Sequence, residues 1–136
     1  MAKKSWVEKR DLEKEPIVKV LDKRFADMEE GCKMLIATPK IVDAYIHDIP
    51  LGNQVELSTM RQDLALTFQA DKTCPVTSGI FLRIVAEAAF EEYQKGSPIE
   101  QIAPFWRMID TRSKVAQKLA CGLDFIDQQR KKEGLN

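Results

Sequence analysis

Three cysteines and one histidine are the residues best suited to covalent or metal chemistry in this chain. Cys32, Cys74 and Cys121 are odd in number and widely spaced, with no Cys-x-x-Cys pair. The single His47 completes no usual zinc pattern with them, so no metal is expected. A thiol becomes a useful nucleophile only when its surroundings lower its pKa. Cys74 precedes a segment read as a helix, and a helix N-terminus favours thiolate. Cys121 sits beside Gly122 in a basic stretch. Both remain candidate nucleophiles, although a buried structural role is the commoner fate of a lone cysteine.

Charge is the second source of chemistry. The 21 Lys and Arg balance the 21 Asp and Glu, so no overall field draws the chain to nucleic acid or membrane. The distribution is uneven. Residues 104–136 carry seven basic and four acidic side chains, whereas residues 38–103 carry five and nine. The C-terminal excess comprises Arg107, Arg112, Lys114, Lys118, Arg130, Lys131 and Lys132. Such a run is most often a solvated face; its sharper reading is a strip that contacts phosphates.

The 136 residues suit one domain with a real core. Hydrophobic residues at 44% and charged ones at 31% argue against disorder. No apolar run approaches the roughly 20 residues that cross a bilayer, and the charged N-terminus lacks the apolar core of a signal peptide. Thiols in such a chain read as reduced, which makes a cytoplasmic protein the expectation. No cofactor and no membrane partner is implied.

These groups must be held by mostly helical elements with short strands. Residues 1–15 read as a frayed helix ended by Pro16. Residues 17–21 and 33–36 suit short strands around a Glu30-Gly31 turn. Thr38-Pro39 is a helix start, followed by Ile41, Val42, Tyr45, Ile46 and Ile49 on one stripe. Ser58 is expected to cap a second helix that buries Met60, Leu64, Ala65 and Phe68. After the connection Asp71–Pro75, a third helix from about Val76 is expected to bury Ile80, Phe81, Ile84, Val85 and Ala88. Residues 103–109 suit a buried loop or strand, and a last helix covers about 123–132. Helices at 58–70 and 76–94 are consistent with a helix-turn-helix.

Against this frame, the segment from Ile46 to Gly134 resembles the C-terminal domain of the alkylguanine-DNA alkyltransferases. Ile49-Pro50-Leu51-Gly52-Asn53-Gln54-Val55 reproduces the family's Ile-Pro-x-Gly-x-x-Val. Leu64-Ala65 stands where a helix ends in Ile/Leu-Ala. Arg83-Ile84-Val85-Ala86-Glu87-Ala88 keeps the Arg, Val and final Ala of Arg-Ala-Val-Gly-x-Ala. Pro104-Phe105-Trp106-Arg107-Met108-Ile109 matches the active-site loop Pro-Cys-His-Arg-Val-Ile, and Glu133-Gly134 closes the domain. The resemblance implies a winged helix-turn-helix-like domain over residues 38–136 preceded by an N-terminal extension, residues 1–37.

It also implies a lost reaction. Phe105 replaces the cysteine that accepts the alkyl group, and Trp106 replaces the histidine that takes its proton. Neither ring can do that work. Related alkyltransferase-like proteins lack the cysteine and still bind alkylated guanine. The expected function is therefore non-catalytic DNA binding. Pro104, Phe105, Trp106 and Glu133 would line a pocket for a flipped base, and Arg83, Arg107, Arg112, Lys114 and Lys118 would contact DNA. The same aromatic pair could instead simply fill the vacated cavity. Glu87, Glu91 and Glu92 would repel phosphates if they faced DNA, and Leu57 replaces a phosphate-contacting Tyr. Two alternatives stand beside this one. The first is a methyltransferase-type repair enzyme that uses Cys121 or Cys74. The second is a module that holds a protein or small molecule through the acidic helix and aromatic loop.

Overall fold

The Thr38-Pro39 signal opens a helix in the computed structural model, which describes residues 4–135. The first three residues of the expected N-terminal helix lie outside that range. The fold is mainly helical with one small sheet.

Helix α2 runs Pro39–His47, and the Thr38 hydroxyl accepts the Ile41 N–H at 3.2 Å. Val42 and Ile46 on its stripe are fully buried. Helix α3 runs Leu57–Thr67 and buries Met60, Leu64 and Ala65, as the spacing predicts. Its cap differs: Glu56 occupies the N-cap position and makes no side-chain cap, so Ser58 lies inside the helix.

Helix α4, Pro75–Gln94, begins with proline at its first position. Of the expected face, Val85 and Ala88 are buried and Phe81 and Ile84 partly so. Leu82, Val85, Ala86, Ala88 and Ala89 are buried, whereas Ile80 is exposed. Helix α5, Gly122–Lys132, closes the chain and buries Ile126.

Strands β1 (Ile17–Val20) and β2 (Lys33–Ile36) pair antiparallel, with Ile17 opposite Ile36. Strand β3, Lys72–Thr73, adds parallel to β2. It forms within the stretch read as a plain connection. Arg61 of α3 fixes it, donating to the Thr73 carbonyl at 2.8 Å, while the Thr73 hydroxyl donates to the Arg61 carbonyl at 2.7 Å.

Helix α1 is short, Trp6–Arg10, and ends well before Pro16. Five residues do not make a stable helix alone. Ser5 and Glu8 form a capping box, and α4 supplies the rest. The Glu91 carboxylate accepts the N–H of Trp6 at 3.1 Å and of Val7 at 3.3 Å. Arg10 pairs with Glu92 at 2.8 Å. The residues before Thr38 thus share the body of the protein: α1 lies on α4, and Leu35 of β2 is fully buried in the main core. Among the described residues, no helix is long and apolar enough to cross a membrane.

Candidate functional site

Three stretches far apart in sequence meet at one carboxylate. Glu133, at the end of α5, accepts the Trp106 indole N–H at 2.6 Å and the Arg107 Nε–H at 2.8 Å. It also accepts the Gly52 N–H at 3.2 Å. Gly52 has φ +82, a conformation that favours glycine, so the Ile49–Val55 loop can turn its amide toward this carboxylate. Burial works to raise the Glu133 pKa. The hydrogen bonds from Arg107, Trp106 and Gly52 outweigh it and hold the carboxyl below its usual range.

Arg107 spends its remaining donors internally, with Nη1 on the Ile49 carbonyl at 2.7 Å. Arg130 ties the other side, donating to the Trp106 carbonyl at 2.7 Å and to Gln54 at 2.6 Å. Residues 105–107 form a single 3-10 turn rather than a strand. Phe105 is fully buried and packs parallel to Phe125 of α5 at 6.1 Å, with the Trp106 ring edge-on at 5.3 Å. Pro104 and Trp106 are buried with Phe105. The rings expected to line a base pocket pack on each other and on Phe125, and the carboxylate is hydrogen-bonded to Trp106 and Arg107.

The five expected DNA contacts divide between two grooves. Arg107 and Arg112 border one of about 590 Å³, where Glu56 and Asp110 add negative charge. Arg107 is locked there as an internal cation, and Arg112 lies 3.9 Å from Asp110. Arg83, Lys114 and Lys118 line the other groove, of about 520 Å³.

Sequence reasoning missed two residues of that second groove. Trp6 and Lys9 of α1 complete it, and no carboxylate lines it. The Lys9 ammonium stands 4.3 Å from the Trp6 ring centre, and the Arg83 guanidinium 5.3 Å from it. The floor is apolar, built from Val76, Ile80 and Ile84 of α4 together with Val115. Lys9, Lys114 and Lys118 form no ion pair among the described residues.

The three glutamates of α4 do not oppose this charge freely. Glu91 and Glu92 hold α1, as described above. Glu87 is buried, accepts the Ala120 N–H at 3.1 Å and pairs with Arg83 at 3.5 Å. Arg83 also reaches the Lys118 carbonyl at 3.4 Å. Both contacts are long for charge-assisted hydrogen bonds.

No family model, curated protein or solved structure matches this chain.

The thiols are poorly placed for nucleophilic work. Burial and the nearby Glu87 charge push Cys121 up to about 11. Cys74 is buried at the start of α4 beside Leu21, Met28 and Met34. Among the described residues, no group of acidic, cysteine and histidine side chains could hold a metal ion.

Proposed function

We propose that this protein is a non-catalytic DNA-binding protein and that the Trp6–Arg83 groove is its contact surface. The observation that carries this reading is the grouping of Lys9, Arg83, Lys114 and Lys118 around one groove without a lining carboxylate, in a chain of zero net charge. Phosphate contacts of this kind supply sequence-independent affinity. Arg83 is held by the buried Glu87 and the Lys118 carbonyl, so the cations free to meet phosphates are the three lysines.

The resemblance to the alkyltransferase C-terminal domain supports the same reading. It makes α3 and α4 the helix-turn-helix pair, with α4 as the helix that meets DNA and the small sheet beside it. The aromatic turn at 105–107 then serves as core, and binding proceeds without capture of a flipped alkylated guanine. The raised pKa of Cys121 speaks against the methyltransferase-type alternative. A reducing, cytoplasmic setting belongs to this reading, and the three unpaired cysteines accord with it.

Fluorescence anisotropy with a labelled duplex across a salt series tests the proposal. Three free lysines predict a log–log salt slope of about −2.7, hence roughly 40-fold weaker binding at 200 mM than at 50 mM salt. The same duplex carrying an alkylguanine is expected to bind equally. No binding at 50 mM salt, or binding insensitive to salt, would overturn the proposal.

A further inference from the structure

The floor of the groove asks for more than phosphate. Val76 and Ile80 are 56% and 52% exposed, and they line the same groove as the three lysines. Backbone phosphates gain nothing from an apolar floor. Bases stacked within a duplex cannot lie flat on it either. Unpaired bases can, because each has a π-face and an apolar edge to bury, and a positive groove with an aromatic platform is what single strands bind. Trp6 provides such a platform at the groove wall once Lys9, which with Arg83 lies over its ring, moves aside onto a phosphate. Its helix is tied to α4 through Glu91 and Glu92, so the ring is positioned before any ligand arrives. The groove volume, about 520 Å³, falls in the range of sites that enclose small ligands, about 300–1,000 Å³.

We propose that the groove between α1, α4 and Lys114–Lys118 binds unpaired nucleotides, with bases on Trp6, Val76 and Ile80 and phosphates on Lys9, Lys114 and Lys118. This rests on the DNA-binding reading and narrows it to single strands or locally opened duplex.

The test compares three labelled probes at 50 mM salt: a 12-nucleotide oligothymidine, a 12-mer of the same charge with abasic sites throughout, and a 12-base-pair duplex. Oligothymidine is expected to bind at least 10-fold more tightly than either of the others and to quench tryptophan emission. Trp6→Ala should weaken oligothymidine by about 5- to 150-fold, the range for loss of one stacking platform, and change duplex binding less than twofold. Because Trp6→Ala could loosen α1, Ile80→Glu provides a second variant on an exposed position of a long helix. It should abolish the preference for oligothymidine while the circular dichroism spectrum stays unchanged. Equal binding of oligothymidine and the abasic strand, or parallel losses for single strand and duplex, would overturn this inference and leave the DNA-binding reading standing. No binding of any probe would overturn both.

Discussion

Trp106 and Glu133 lie 27 residues apart, yet the indole N–H meets the carboxylate at 2.6 Å, and Arg107 shares the same two oxygens. The pair joins the Ile49–Val55 loop, the aromatic turn and the end of α5. Glu133→Gln keeps an acceptor for the indole and strands the largely buried Arg107 charge. It should cost about 3 kcal/mol of stability, the lower end for breaking a buried ion pair from one side. Urea unfolding at pH 7 measures it; a loss under 1 kcal/mol would contradict the assignment.

The same carboxylate predicts a pH dependence. Its folded pKa lies below the unfolded value of 4.5, so the unfolded chain binds that proton more readily. The stabilisation is complete above about pH 4.5 and is lost as pH falls through the folded value. Stability measured from pH 5 down to pH 3 should fall more steeply in the native protein than in Glu133→Gln. Equal slopes would show that the hydrogen bonds to Glu133 do not favour its charged form.

Cys121 should react sluggishly. A rise from 9.0 to about 11 lowers the thiolate fraction near neutral pH about 100-fold. Greater nucleophilicity of the more basic thiolate recovers part of this, leaving alkylation roughly 10-fold slower than for an unperturbed thiol. Iodoacetamide labelling followed by peptide mass spectrometry reads the rate. An adduct on Cys121 after incubation with alkylated DNA would restore the enzymatic alternative.

Glu91 joins α1 to the groove. Glu91→Ala removes the acceptor for two amides at the start of α1 and should cost about 1 kcal/mol, as the loss of a helix cap does. Because α1 carries Trp6 and Lys9, DNA binding should weaken by severalfold even though Glu91 lines no part of the groove and its removal makes the protein more positive. Tighter binding would show instead that Glu91 acts as a repulsive charge facing DNA.

Much of the scaffold was legible because local signals agreed with tertiary packing. Thr38-Pro39 set the start of α2, and the Glu30-Gly31 turn separated two strands that do pair. The face of α4 is legible only in part: Val85 and Ala88 are buried as expected, whereas Ile80 is exposed. Leu82, Ala86 and Ala89 add to the buried face, and periodicity alone does not fix the width of the inward stripe on a long apolar helix. Strand β3 is two residues long and exists only because Arg61 and β2 flank it, so no pattern in the sequence marks it. Arg83, Lys114 and Lys118, three of the five expected DNA contacts, share one groove, whereas Trp6 and Lys9 come from a segment outside the resemblance that reads only as a frayed helix. Arg107 and Glu133 are remote in sequence, so only the fold shows that Arg107 has an internal partner. The Phe105–Trp106 pair was ambiguous, since only packing distinguishes a pocket lined by rings from a cavity filled by them.

If the lysines of the Trp6–Arg83 groove hold DNA as proposed, the decisive measurement is the salt slope of the Lys114→Ala/Lys118→Ala double variant. With two of three free phosphate contacts removed, the log–log slope for duplex binding should fall from about −2.7 to about −0.9. A double variant that binds with the slope and affinity of the native protein would contradict the account, because the phosphates would then be held elsewhere.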